Sequence, residues 1–247
     1  MTSRTSPGTP TPSGTGLVGV IGGMGPLATA DFYRDIIAAS PASRDQDHLP
    51  LIIWGDPRIP DRSDALTAGG ADPTEAIRSA ALALVAAGAE QLVVACNTAH
   101  IFLDRALAGI DVPLLSLVDE TVRVAAERGV GGEGVAILAT DGTIASGVYQ
   151  EAFAAAGVPA FVPPEPVQPR IMQAIRAVKA GDLDAATALL LGAAAELRET
   201  GAGALLAACT ELPSVLGAEF AGLPVLDPLT LAAEALVRSH QGSPIHA

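Results

Sequence analysis

Aromatic residues are scarce in this chain. Its 247 residues hold 5 Phe, 2 Tyr and 1 Trp, an aromatic share of 3%. A sandwich core built on large rings is therefore disfavoured. The 49% hydrophobic content, much of it alanine, points instead to closely packed helices. Basic residues are also few: 14 Lys and Arg face 27 Asp and Glu, for a formal net charge of −13. Such a balance argues against nucleic acid or an anionic membrane surface as partner. It also means that an acidic ligand needs a local cationic pocket. No apolar run reaches the ~18 residues of a membrane-spanning helix; the richest, 80–96, is broken by Gly88, Glu90 and Gln91. Residues 1–15 are rich in Thr, Ser, Pro and Gly, with a lone Arg4 and no hydrophobic signal core. They read as a disordered tail, and the expected location is the cytoplasm.

Only two cysteines occur, Cys96 and Cys209. In a reducing compartment both are expected as free thiols. The four histidines, His48, His100, His240 and His246, are scattered, so no metal site is expected. Each cysteine closes an apolar run and is followed at once by hydrogen-bonding side chains. The first stretch is Gln91-Leu92-Val93-Val94-Ala95-Cys96-Asn97-Thr98-Ala99-His100; the second is Ala204-Leu205-Leu206-Ala207-Ala208-Cys209-Thr210-Glu211-Leu212-Pro213.

The surrounding pattern repeats as well. Residues 16–26 form a strand ending in a glycine-rich turn, and Pro26 suits the first position of a helix over 27–39. A strand at 49–54 follows. The segment 55–62 carries two prolines and reads as a loop. A helix runs from Asp72-Pro73 to about Ala87, ended by Gly88, and leads to the Cys96 strand, a helix and a strand at 112–117. From Gly134 the order starts again, with a strand and polar turn, a helix carrying Tyr149 and Phe153, and a long helix from Asp182 to Gly201 that leads to Cys209. The offset is 115 from Gly19 to Gly134, 113 from Gly88 to Gly201, 113 from Cys96 to Cys209 and 111 from Pro113 to Pro224. One internal duplication explains all four, although any alternating α/β chain shows some such similarity.

Strands alternating with helices give parallel sheets covered on both faces, with ligands at the carboxyl ends of the strands. The expected fold is α/β with two pseudo-symmetric lobes and the active site in the cleft between them. The first lobe spans 16–112 and takes back 222–247; the second spans 113–221. The two thiols then flank one cleft. Two thiols suit inversion of a carbon acid, one taking a proton from one face and the other returning one to the opposite face. Each sits where a strand gives way to an expected helix start, whose free N–H groups favour the thiolate. The plainer alternative is that both are small buried hydrophobes; duplication and the polar residues after each weigh against it.

The chain resembles the aspartate/glutamate racemase superfamily, and more closely its aspartate racemase branch. The matching stretches are Ile21-Gly22-Gly23-Met24-Gly25-Pro26-Leu27-Ala28-Thr29-Ala30, Ile59-Pro60-Asp61-Arg62, Cys96-Asn97-Thr98-Ala99-His100, Leu138-Ala139-Thr140 with Gly142-Thr143, Val178-Lys179-Ala180-Gly181, Cys209-Thr210-Glu211 and Asp227-Pro228. The resemblance implies a homodimeric two-base racemase of α-amino acids, aspartate first, that needs no pyridoxal phosphate, metal or other cofactor. By position it makes Cys96 and Cys209 the acid/base pair, the first acting on the D-isomer. Arg62 and Lys179 match residues that bind the side-chain carboxylate. Met24, Asn97, Thr98, Thr140, Thr143 and Thr210 match the substrate-binding positions, with Glu211 near the ammonium. Where aspartate racemases often carry Asn-Asn before the loop proline, this chain has Gly55-Asp56, an extra carboxylate near the mouth.

Other readings of these residues stand beside that one. Gly23-x-Gly25-x-x-Ala28 fits a dinucleotide fingerprint, yet no convincing ribose-binding acid follows ~20 residues on. His100 either activates Cys96 or packs away from it. Arg62 also fits a surface loop, Lys179 a solvated helix end, and Glu211 a helix N-terminus. Alternative functions are racemisation of another amino acid such as glutamate, a related isomerase or decarboxylase, and a catalytically silent binder of small acids.

Overall fold

A computed structural model of the chain describes residues 16–130 and 134–241; the expected tail, 1–15, lies outside the described residues. In chain order the elements are β1 (Val18–Gly22), α1 (Pro26–Ala39), β2 (Leu51–Gly55), α2 (Arg62–Thr67), α3 (Thr74–Ala86), β3 (Gln91–Val94), α4 (Leu103–Ala106), β4 (Leu114–Leu115) and α5 (Leu117–Arg128). They continue with β5 (Val135–Leu138), α6 (Asp141–Ser146), α7 (Val148–Ala155), β6 (Ala160–Phe161), α8 (Gln168–Lys179), α9 (Leu183–Glu199), β7 (Ala204–Ala207), α10 (Pro213–Leu216), β8 (Glu219–Phe220), β9 (Leu223–Leu226) and α11 (Pro228–Gln241). Short polar side chains set several helix starts. Asp61 accepts from the Ser63 and Asp64 N–H groups, Thr140 from Thr143, and Asp182 from Ala185. Each such cap contributes about 1 kcal/mol.

The strands form two parallel sheets, in the orders β2-β1-β3-β4 and β6-β5-β7-β9-β8; only β8 runs antiparallel, against β9. Matching β1, β2, β3 and β4 to β5, β6, β7 and β9 superimposes the two orders, which is the arrangement the repeat calls for. Both faces of each sheet are covered. Val18, Val20, Val93 and Ala95 face α1 and α11, while Leu92, Val94 and Cys96 pack with Ile77, Ala80 and Leu84 of α3. In the second sheet Leu205, Ala207 and Cys209 pack with Leu190, Ala193 and Leu197 of α9, while Leu206 and Ala208 face Tyr149 and Phe153 of α7. The period-2 alternation of a strand therefore sends both cysteines to the equivalent face of their sheets.

Strand pairing places the seams between the lobes elsewhere than at 113 and 222. β4, expected in the second lobe, pairs with β3; β9, expected to rejoin the first, pairs with β7. Each strand completes the open edge beside a cysteine-bearing strand, where its backbone groups find partners. Only α11 crosses back, burying Leu229, Ala232, Leu236 and Val237 against Val20, Phe32 and Ile36. The expected strand over 112–117 is also shorter, because Ser116 caps α5 and Leu117 is already helical. The loop 55–62 likewise ends at Asp61, and Arg62 is the first residue of α2.

The lobes meet at backbone distance where α2 faces α6. A Cβ on Gly142 would lie 2.8 Å from Ser63 Cα, so glycine is required for this approach. Gly23 is required for a different reason: its φ of +89° and the Asp56 backbone beside it leave no room for a side chain.

Candidate active site

Two pairs of equivalent strands, β1 with β5 and β3 with β7, deliver the cleft. Met24 follows β1, Cys96 and Asn97 follow β3, Thr140 follows β5, and Cys209 follows β7; all line one narrow cavity of about 20 Å³. Arg62 at the start of α2, Lys179 at the end of α8, and Thr98, Thr210 and Glu211 complete the expected lining, with Asp61 and Ser63 beside them. Thr143 does not reach the cavity. It stands behind Thr98 and Thr140 and hydrogen-bonds to both, at 2.8 and 3.1 Å.

Neither cysteine is followed by a long helix. A 3₁₀ turn, Thr98–Phe102, and the single-turn α4 come after Cys96, and the single-turn α10 comes after Cys209. The dipole expected to favour both thiolates is thus weak. At Cys209 the balance runs the other way. Burial, and then the Glu211 carboxylate, raise its pKa well above the ordinary thiol value. Its Sγ–H donates to Glu211 Oε2 at 3.0 Å, and Glu211 Oε1 lies 3.6 Å from Lys179 Nζ. Cys209 is therefore a protonated thiol beside an ion-paired carboxylate.

His100 does not bond the Cys96 sulfur. Its Nδ1 lies 2.9 Å from the Cys96 carbonyl, and its Nε2 accepts from the Leu117 N–H at 3.0 Å. An accepting Nε2 places the proton on Nδ1, which donates to the carbonyl. Burial lowers the pKa of the ring, in keeping with that neutral form. The histidine braces the turn that presents the cysteine.

Two buried donors on residues of the cleft have no hydrogen-bond partner: Asn97 Nδ2 and Arg62 Nε. The other amide atom, Asn97 Oδ1, accepts from the Tyr149 hydroxyl at 2.6 Å. The Arg62 guanidinium is held by the Ile59 and Pro60 carbonyls at 3.1 and 2.8 Å. A cluster of hydroxyls lies between the lobes, where Ser63 donates to Thr140 at 3.1 Å and Thr98 shares a proton with Thr140 or Thr143. Unpaired N–H groups and hydroxyl protons are the kinds of donor that a carboxylate accepts from. The extra carboxylate at Asp56 does not disturb them. The Arg58 side chain binds Asp56 at 2.8 and 2.9 Å and holds its pKa down at about 2, and Asp56 is not among the residues lining the cleft.

Sequence patterns gave no role to Ser63 or Tyr149. Tyr149 had a detectable signal, since its helix carries a Tyr and a Phe as the first carries Phe32 and Tyr33, and a buried phenol needs a partner that a phenyl ring does not. Ser63 had none, because its place follows from how closely the lobes approach.

Residues 21–236 match the model of the Asp/Glu/Hydantoin racemase family. The chain belongs to that family. The protein is accordingly an amino-acid racemase. Among solved structures it is similar to the aspartate racemase of Picrophilus torridus, with a TM-score of 0.83 and 31% identity over 93% of this chain and 96% of that one. An aspartate racemase homologue from Pyrococcus horikoshii shares the fold, with a TM-score of 0.74 and 24% identity over 91% of this chain and 98% of the other. The broad specificity amino-acid racemase RacX of Bacillus subtilis is 26% identical over 91% of this chain and 98% of its own length. Among the described residues no group of three or more His, Cys, Asp or Glu is placed to hold a metal ion, and no helix is long and apolar enough to cross a membrane.

Proposed function

We propose that the protein inverts α-amino acids, aspartate first, by a two-base mechanism in which Cys96 and Cys209 are the acid/base pair and no cofactor takes part. The observation that carries this reading is the pair of cysteines, one from each lobe, at the ends of equivalent strands and lining one cleft. A thiolate takes the α-proton, and the electron pair left on carbon delocalises into the substrate carboxylate. The opposed thiol then returns a proton to the other face, so that thiol and thiolate have exchanged places. Cys209 enters as the thiol, which makes Cys96 the first base. Asn97 Nδ2 and the hydroxyls of Thr98 and Thr140 bind the α-carboxylate, where charge grows as the proton leaves. Glu211 takes the ammonium and also holds the Cys209 proton in line.

Aspartate is supported by the Picrophilus torridus enzyme and by the unpaired Arg62 Nε with Lys179 beside it. Glutamate is the nearest alternative on the same groups. A homodimer and residence in a reducing cytoplasm complete the proposal, the first supported by the family resemblance and the second by two free cysteines.

The deciding experiment is α-proton exchange in heavy water together with optical rotation. The wild-type protein should place deuterium on the α-carbon of L- and D-aspartate while inverting both. Cys96→Ser and Cys209→Ser should each lose inversion by a factor of 10³ or more with unchanged circular dichroism, the scale expected for removing a positioned acid/base. Inversion near the wild-type rate in either variant rules the mechanism out.

A further inference from the structure

A second cavity adjoins the cleft at Arg62 and Lys179. Those residues, with Met24, Asp61, Thr210 and Glu211, also border this second cavity, of about 420 Å³ against about 20 Å³ for the cleft itself. The lining of this vestibule is mixed, with the charged Asp31, Asp61, Arg62, Lys179 and Glu211 beside an apolar group. Pro26 and Leu27 come from the start of α1, Pro57 and Ile59 from the loop before α2, and Val178 from α8. Ile59 and Val178 are 5% and 6% exposed and so form a fixed surface, whereas Leu27 is 64% exposed and has nothing covering it.

We infer that the vestibule is a side-chain subsite, and that the enzyme turns over α-amino acids with large apolar side chains, such as methionine, leucine and phenylalanine, alongside aspartate. The inference rests on the racemase reading and names the range of substrates that reading admits. With the reacting carbon between the thiols and the carboxylate on Asn97 and the hydroxyls, a side chain directed along the shared border leaves the cleft into the vestibule. A short acidic chain stops at the border, within reach of Arg62. A longer chain passes it and meets carbon.

The charges at the border permit that passage. Two carbonyls already hold Arg62, and Lys179 is paired with Glu211, so a neutral chain slides past without breaking an ion pair. The carboxylates of Asp31 and Asp61 adjoin the vestibule and disfavour a second anion beyond the border. Covering Leu27 and the walls around it removes apolar surface from water, the usual source of affinity in such a site.

The test uses the purified full chain in heavy water with L-aspartate, L-methionine, L-leucine and L-phenylalanine, each followed by proton NMR at the α-carbon. Exchange with all four supports the subsite. Leu27→Trp, which fills the vestibule from an exposed position, should lower the ratio of kcat/KM for phenylalanine to that for aspartate at least tenfold. Exchange with aspartate alone overturns the subsite and leaves the racemase reading standing, whereas exchange with none of the four overturns both. An unchanged ratio in a normally folded Leu27→Trp variant also removes the vestibule from substrate recognition.

Discussion

The Tyr149 hydroxyl donates a 2.6 Å hydrogen bond to Asn97 Oδ1 across the boundary between the lobes, and both side chains are buried. This contact fixes the Asn97 amide and leaves its Nδ2 as the free donor. Tyr149→Phe keeps the ring and removes that restraint. We expect kcat/KM for aspartate to fall about tenfold, with kcat falling as well, because a loosened Asn97 amide meets the growing carboxylate charge less well. Stability should fall by about 1–2 kcal/mol for the unmet buried acceptor. Initial-rate kinetics with a urea titration measure both; an unchanged kcat/KM beside a loss of stability would reduce the tyrosine to a packing residue.

Burial, and then the charge on Glu211, keep Cys209 protonated, so removing that charge has a definite sign. In a Cys96→Ser background, where one thiol remains, Glu211→Gln should move the alkylation of Cys209 by iodoacetamide to lower pH. Lys179→Met should move it to higher pH, because the ammonium offsets part of the carboxylate's effect. Shifts in the same direction would mean that Lys179 does not act on this thiol electrostatically.

Asp35 supplies a prediction on stability. Burial first, and then the charge of Asp227, raise its pKa to about 6; Thr230 Oγ1 lies between the two carboxylates, 2.8 Å from Asp227 and 3.4 Å from Asp35. A raised acid binds its proton more tightly folded than unfolded. Its ionisation therefore costs stability in full above about pH 6, and the cost disappears as pH falls towards 4. Asp35→Asn should stabilise the protein at about pH 7.5 by roughly 1 kcal/mol, a figure reduced for partial exposure. The gain should vanish near pH 4. Melting temperatures of both proteins across that range decide it.

Gly142→Ala tests the contact between the lobes. The added methyl would meet Ser63 Cα at 2.8 Å and force α2 away from α6. We expect a loss of about 1–3 kcal/mol from overpacking and weaker substrate binding, since the Ser63–Thr140 bond spans the same place. A thermal melt and KM measure the two effects.

Much of this architecture was legible because its signals are local. Apolar runs bounded by glycine mark the central strands, Pro26 and Asp182 mark helix starts, and the spacing between the cysteines exposes the repeat. What the pattern missed depends on pairing between distant segments. Nothing in Leu114-Leu115 or Leu223-Pro224-Val225-Leu226 says which sheet has an open edge to receive it. The short helices after the cysteines were invisible for a related reason, since Thr98–Phe102 and Pro213–Leu216 carry helical residues but stop where packing stops them. In the candidate site, residue identities were readable, but partners were not. That Arg62 rests on carbonyls, that Arg58 absorbs Asp56, and that His100 bonds the backbone rather than the sulfur are all facts of tertiary approach.

The return of α11 to the first lobe also governs how the chain is made. Four apolar side chains of that helix finish a core begun by Val20, Phe32 and Ile36. During synthesis the amino-terminal half must therefore wait, with this surface open, until α11 has been made. Nonsense truncations ahead of α11 should accordingly leave a hydrophobic wound in the part translated first, and chaperones should be found there.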